Sequence, residues 1–230
     1  MKRVLVSLIC VCMTFAAWAQ NDDFVQYQLD NGLTVYLWED HDQPDVQGWT
    51  VTRAGSIDEP ADATGLAHYL EHMLFKGTDR IGALDWAKEK PLYEQIIALY
   101  DTLALTTDDQ AREAVQLRIN EVSREAAQYA ATDEFSNLIQ GIGGEGLNAF
   151  TSYDVTCYMN SFPSYQMERW LTLYADRLTN PVFRSFQAEL ENVFEEYNMY
   201  LDDNSTHVRN FIFGKLYEGH AYARDIIGYP

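Results

Sequence analysis

The chain has 230 residues, of which 47% are apolar and 22% are charged, and its formal net charge at pH 7 is -19. This length can form one sizeable domain, or one domain with an inserted element, and the composition argues against wholesale disorder. A strongly acidic surface repels nucleic acid and anionic membranes, so we expect neither as a partner.

The first 19 residues have the layout of a secretory signal peptide. Lys2 and Arg3 precede an apolar run over residues 4–17, and Ala17-Trp18-Ala19 offers a cleavage site of the small-x-small type. The run is too short for a membrane span, and no later segment is apolar enough. We therefore predict an exported protein, periplasmic or secreted, with no stable membrane insertion and a mature chain that begins at residue 20.

Cysteine use narrows the possible chemistry. Cys10 and Cys12 lie inside the predicted signal peptide and leave with it, so only Cys157 remains. The mature chain then has no intrachain disulfide and no zinc site built from cysteines. Cys157 stands in an alternating apolar stretch, which predicts a buried, inert thiol.

The mature chain opens with strand patterns. Residues 24–29 and 33–38 alternate apolar and polar side chains around Asn31-Gly32, which predicts a β-hairpin. Another strand is predicted at 46–53. Thr64 is then the predicted N-cap of a helix that ends at Gly77.

Residues from about 85 to 131 are rich in Ala, Glu, Gln and Leu, with apolar residues at helical spacing. Thr107-Asp108-Asp109 interrupts the pattern and can cap a second helix, so we predict an inserted helical hairpin. It carries no residues that suggest chemistry.

The rest of the chain mixes strand and helix patterns. The glycine-rich segment 141–146 lacks the spacing and the following Lys-Ser or Lys-Thr of a phosphate loop, so a tight turn between a helix and a strand is predicted. A strand at 147–159 follows, then helices at 164–178 and 187–201 and a last helix after residue 204. The predicted fold class is α+β, an antiparallel or mixed sheet covered by helices.

His68-Tyr69-Leu70-Glu71-His72 is the most informative segment. Positions i, i+3 and i+4 of a helix share one face, so both imidazoles can converge on one ion with a carboxylate beside them. Zinc accepts such ligands, and a catalytic zinc site needs three protein ligands and an open position. Glu71 is then a candidate general base, and a third ligand must come from elsewhere.

Two other interpretations of this segment are weaker. A single histidine on a helix is usually structural, but two histidines and a glutamate at this spacing seldom coincide by chance. A structural zinc site is normally closed by four protein ligands, often cysteines, which this chain lacks in number. The free Glu71 between the ligands favours catalysis.

The motif has the inverted order His-x-x-Glu-His. The surrounding stretches GSIDEP (55–60) and GLAHYLEHMLFKGT (65–78) resemble the pitrilysin/insulinase family of zinc peptidases. Segments 148–152, 189–196 and 219–228 resemble further parts of that family. The resemblance covers nearly all of the mature chain except the predicted helical hairpin. The hairpin accounts for a gap between His72 and Glu196 that is longer than the family norm, and it should pack outside the catalytic centre.

The resemblance implies that His68, His72 and Glu196 bind one zinc ion and that Glu71 is the general base. Glu189 would orient a ligand histidine through a hydrogen bond. Glu195 remains the alternative third ligand, although Glu189 and Glu196 are seven residues apart and so share one helix face. The strand that would bind the peptide substrate contains Asn148, Ala149, Phe150 and Thr151.

The resemblance also implies a partner. Members of the family are built from paired homologous domains, and the second domain supplies substrate-binding residues. We expect this chain to be the catalytic half, 20–230, ending before the first domain is complete, and to be a fragment or to work with a second homologous domain or subunit. The predicted function is a zinc-dependent endopeptidase acting on peptides or small unfolded proteins.

Two functions of other classes compete with this prediction. The family resemblance also allows a non-catalytic scaffold or interaction subunit, typically with a broken zinc motif, whereas the motif is intact here. A bare helical binding module would require the motif to be a coincidence.

Overall fold

The computed structural model describes residues 24–229, so the predicted signal peptide lies outside the described residues. The chain divides into two units, Met1–Pro44 and Asp45–Pro230. In the first, β1 (Phe24–Gln28) pairs with the antiparallel β2 (Thr34–Trp38). Gly32 takes the left-handed conformation, with φ 89°, that the turn requires. The predicted hairpin is confirmed.

The second unit holds a three-stranded antiparallel sheet. β3 (Asp45–Thr52), β4 (Glu145–Thr151) and β5 (Thr156–Pro163) lie in the order β3-β5-β4.

The prediction of a single strand over 147–159 was wrong, because the chain reverses direction between β4 and β5. The hydroxyl of Ser152 accepts hydrogen bonds from the backbone amides of Asp154 and Val155, and the Ser152 amide donates to the Val155 carbonyl over 2.8 Å. Serine and aspartate favour such turns through side-chain to backbone bonds.

Residues 24–229 contain seven α-helices: α1 (Leu66–Met73), α2 (Trp86–Leu105), α3 (Asp109–Ala126), α4 (Glu134–Gly141), α5 (Met167–Thr179), α6 (Phe186–Leu201) and α7 (Asn204–Leu216). The predicted α+β class is confirmed. No helix in this part of the chain combines the length and apolar character that crossing a bilayer requires.

Helix α1 begins and ends differently from the prediction. Its N-cap is Gly65, in the left-handed conformation, and not Thr64. The carboxylate of Glu59 takes over the capping role by accepting from the amides of Gly65 (2.9 Å) and Ala67 (2.8 Å). The helix ends at Met73, and Gly77 belongs to the turn that follows.

Helices α2 and α3 pack against each other, as the helical pattern over 85–131 indicates. The connection between them is short, and Asp108 caps α3 by accepting from the Ala111 amide at 2.9 Å.

Two apolar clusters hold the second unit together. The larger lies between the sheet and helices α4 and α5, and contains Ile81, Phe135, Ile139, Ile142, Tyr158, Phe162, Trp170 and Tyr174. Gly48 of β3 makes room for this cluster, because a Cβ there would lie 2.4 Å from the Trp170 ring. The smaller cluster joins α1 to α6 through Tyr69, Met73, Val193 and Ile227, and it positions the functional site.

Arg177 of α5 is a fully buried cation inside the larger cluster. Its guanidinium lies over the rings of Phe75 and Tyr158, 4.2 and 4.1 Å from their centroids, and its Nε donates to the Leu74 carbonyl. Burial lowers the pKa of Arg177 to about 10. The side chain thereby fixes the C-terminal end of α1 against the core.

Candidate metal centre and active site

Helix α1 directs His68 and His72 toward α6. Tyr69, which lies between them in sequence, packs its ring edge-on against Phe186 at the start of α6, with centroids 5.0 Å apart, and its hydroxyl donates to the Phe186 carbonyl. The contact ties the start of α6 to α1. With Val193 also in the shared cluster, the next turn of α6 brings Glu196 opposite the two imidazoles.

The Glu196 carboxylate meets both histidines. Its Oε2 lies 3.8 Å from His68 Nε2 and 3.5 Å from His72 Nε2. Two ligands of a tetrahedral zinc ion with bonds of 2.0–2.2 Å are about 3.3 Å apart. The observed separations are therefore close to those of a zinc site, and two imidazoles with one carboxylate are a donor set that zinc accepts.

Among residues 24–229 this is the one group of three or more potential metal ligands whose atoms lie within 4.8 Å of one another. Glu195, the alternative third ligand, is exposed and stands outside the group. The geometry favours Glu196 because residue 196 faces α1, whereas residue 195 is turned away by one position of the helix.

Glu189 anchors His72. Its Oε1 lies 2.8 Å from His72 Nδ1, and its Oε2 makes an ion pair with Lys76 and accepts from Asn192 over 3.2 Å. Burial alone would raise the pKa of Glu189, but the bonds from Lys76 and His72 outweigh it and lower that pKa. A charged carboxylate at Nδ1 leaves Nε2 of His72 free, and this is the nitrogen that could bind a metal.

His68 differs from His72 in the hydrogen bonding of its Nδ1. Its Nδ1 is buried and has no hydrogen-bond partner among the described residues. Burial lowers the pKa of His68, which favours the neutral imidazole that binds metals.

Glu71 lies beside the ligand group without belonging to it. The residue is 7% exposed, and the hydroxyl of Thr151 donates to its Oε2 over 2.7 Å. A carboxylate with one fixed hydrogen bond retains acceptor capacity for a further partner.

The site opens into a cleft of about 520 Å³, and every residue that the sequence associates with catalysis or substrate lines it. One wall is β4, which lies at an edge of the sheet in the described structure. Asn148 and Phe150 are exposed on one face of β4, while Ala149 and Thr151 are half-buried on the other. Thr151, predicted as a substrate residue, also contacts Glu71.

Lys76 and Glu59 support the elements of the site, and neither role was anticipated from the sequence. Lys76 lies four positions after His72, a helical spacing that could have marked it as a partner for an acid near that histidine. Glu59 lies outside any helix, and its capping role depends on a loop that returns to α1. No repeating spacing in the sequence predicts such a contact.

The family model described as Insulinase (Peptidase family M16) matches residues 34–89 and 122–229. The chain belongs to this family. The stretch between the two matched regions falls within α2 and α3, so the middle of the helical hairpin lies outside what this M16 chain shares with the family model.

Curated relatives of this M16 chain are named as zinc proteases. The probable zinc protease PqqL of Escherichia coli is 23% identical over 193 residues, which are 81% of this chain and 16% of PqqL. An uncharacterized zinc protease of Rickettsia felis is 26% identical over 212 residues, 91% of this chain and 38% of the relative. The M16 chain thus spans well under half the length of these relatives.

Solved structures show the same fold. A protease from Helicobacter pylori superimposes with a TM-score of 0.64 at 20% identity, covering 90% of this chain and 38% of that protein. The periplasmic protease PqqL from Escherichia coli gives a TM-score of 0.63 at 21% identity, covering 93% of this M16 chain and 19% of PqqL.

Proposed function

We propose that the chain is the zinc-binding and catalytic part of a metalloendopeptidase that hydrolyses peptides or small unfolded proteins. The observation that carries the proposal is the convergence of His68, His72 and Glu196 on one point, with the Glu71 carboxylate beside that point but outside the ligand group. The zinc protease names of the curated M16 relatives support it.

His68, His72 and Glu196 would hold one zinc ion and leave its fourth position open, as in catalytic zinc sites. When bound, zinc supplies Lewis-acid chemistry, which polarises a peptide carbonyl and acidifies water. Glu189, which is paired with Lys76, holds the imidazole of His72 in the orientation and tautomer that present Nε2.

Glu71 is the proposed general base. It takes a proton from the attacking water and passes it to the amine that leaves when the peptide C–N bond breaks. The Thr151 hydroxyl fixes one carboxylate oxygen, so the other remains available for that proton. Net hydrolysis consumes one water and yields a carboxylate and an amine.

The substrate is proposed to bind as an additional strand along β4. Asn148, Ala149, Phe150 and Thr151 line the cleft, and β4 is an edge strand of the described sheet. Strand addition recognises the backbone of an extended peptide more than its side chains, so broad sequence tolerance is expected.

We further propose that the protein acts outside the cytoplasm and that a second homologous domain or subunit completes substrate binding. The layout of residues 1–19 and the description of the structurally similar PqqL as a periplasmic protease support export. The partial coverage of the longer relatives supports a second domain.

Glu71→Gln tests the proposal, with Glu195→Gln as the matched control. Zinc content and cleavage of an unstructured fluorogenic peptide are measured on the protein with its proposed second domain or subunit present. We expect one zinc per chain in both variants, and cleavage reduced at least about 100-fold in Glu71→Gln alone. Normal cleavage by Glu71→Gln would refute the assigned base. If the wild-type protein bound one zinc but cleaved no peptide even with that second domain or subunit present, the scaffold function would be favoured.

A further inference from the structure

The two carboxylate oxygens of Glu196 have different neighbours. Oε2 faces the imidazoles, 3.8 Å from His68 Nε2 and 3.5 Å from His72 Nε2. Oε1 accepts a hydrogen bond from the hydroxyl of Tyr200 over 3.3 Å. Tyr200 lies four residues further along α6, so it projects from the same helix face one turn away, and it lines the cleft.

No other side chain in the described structure donates to Oε1. Arg209, which also lines the cleft, is engaged elsewhere, because it donates to the carboxylate of Asp225 at 3.3 Å. The orientation of the Glu196 carboxylate therefore depends on one phenol hydroxyl.

This division of the two oxygens matters for a metal ligand. A carboxylate that is free to rotate can bind zinc through both oxygens, which adds a ligand and fills the position that catalysis needs open. A hydrogen bond that occupies one oxygen prevents this, and hydrogen-bonded partners of ligands commonly tune metal affinity.

We propose that Tyr200 is a positioning residue for Glu196: its hydroxyl retains Oε1, so that Glu196 binds zinc through Oε2 alone and the fourth coordination position stays open. The inference rests on the proposed zinc site. It assigns to Tyr200 a role in coordination geometry and not in the transfer of protons.

Tyr200→Phe removes only the hydroxyl, and Tyr197→Phe is the matched control. Tyr197 lies on the same helix, packs against the smaller apolar cluster, and its hydroxyl makes no hydrogen bond among the described residues. Both variants keep the ring and its packing, so a general loss of stability affects them alike.

Two measurements distinguish a positioning role of Tyr200 from a purely structural one. Zinc affinity is measured by competition with a chromophoric chelator, and the coordination number by the visible spectrum of the cobalt-substituted protein. We expect Tyr200→Phe to bind zinc about 10-fold more weakly and its cobalt bands to lose intensity, as five-coordinate cobalt absorbs less than tetrahedral cobalt. Tyr197→Phe should match the wild type in both.

The outcomes distinguish this inference from the proposed function. A cobalt spectrum of Tyr200→Phe identical to that of Tyr197→Phe would overturn the role of Tyr200 even if affinity fell, since weaker folding lowers affinity without changing coordination. A wild-type protein that bound no zinc would overturn the proposed function, and this inference with it.

Discussion

Two buried carboxylates, one on a helix of the helical hairpin and one lining the cleft, have opposite surroundings. Glu89 of α2 is 2% exposed and receives both prongs of the Arg184 guanidinium, at 2.5 and 3.0 Å. Glu71 of α1 is 7% exposed and receives the hydroxyl of Thr151, the one donor to it in the described structure. Arg184 donates to both carboxylate oxygens of Glu89, whereas Glu71 can still accept a hydrogen bond from a substrate or water.

The Glu89–Arg184 pair serves structure. Arg184 also donates to the backbone carbonyls of Lys76, Thr78 and Ile81, and these residues form the turn that follows α1. A bidentate pair with its remaining donors on carbonyls leaves little buried charge unmatched. The difference between the two regions teaches that burial alone does not mark a reactive carboxylate, and that the number of its fixed donors is more informative.

Glu89→Ala gives the largest expected effect. It leaves the Arg184 guanidinium buried without its counter-charge, which costs about 3–5 kcal/mol of unfolding free energy. Glu71→Gln should change that free energy by less than about 1 kcal/mol, because Thr151 can donate to the amide oxygen instead. Urea denaturation measures both, with the exposed Glu94→Ala on α2 as the control. Equal losses for Glu71→Gln and Glu89→Ala would remove the distinction between the two regions.

Glu189→Gln sharpens the comparison at an intermediate site. Glu189 is buried like Glu89, but one of its partners is a proposed metal ligand, His72. Loss of its charge should weaken zinc binding about 10–100-fold. Competition with a chelator measures the change, and Glu191→Gln, two residues along the exposed side of α6, should leave affinity unchanged. If the two variants bound zinc equally well, Glu189 would not support His72.

Glu59→Ala has the smallest expected effect. It removes the carboxylate that accepts from the amides of Gly65 and Ala67 at the start of α1, which should cost about 1 kcal/mol of unfolding free energy. Asp62→Ala, an exposed acid in the same loop, serves as control. A loss no greater than that of the control would show that α1 does not depend on this cap.

The arrangement of the candidate residues on α1 could be predicted from the sequence because they stand at helical spacing. His68, Glu71 and His72 share a face of one short helix wherever that helix packs. Helical spacing from the two histidines could not indicate Glu196. The family resemblance indicated which helix carries the third ligand, and the spacing from Glu189 indicated on which face of that helix the ligand lies. The structure places both carboxylates where that periodicity indicates.

The remaining contacts could not be predicted because they join residues far apart in sequence without a periodic signal. Arg184 meets Glu89 across 95 positions, and Thr151 meets Glu71 across 80. The strand predicted over 147–159 failed for a related reason. Apolar residues persist on both sides of Ser152, so the turn is visible only in the short polar segment that reverses the chain.

The central claim is that His68, His72 and Glu196 bind one zinc ion while Glu71 stays uncoordinated. A zinc-edge anomalous difference map from crystals of the zinc-loaded protein tests it most directly. The account predicts a single strong peak about 2.0–2.2 Å from His68 Nε2, His72 Nε2 and Glu196 Oε2. A peak coordinated by Glu71 or Glu195 in place of Glu196, or the absence of a peak between α1 and α6, would contradict it.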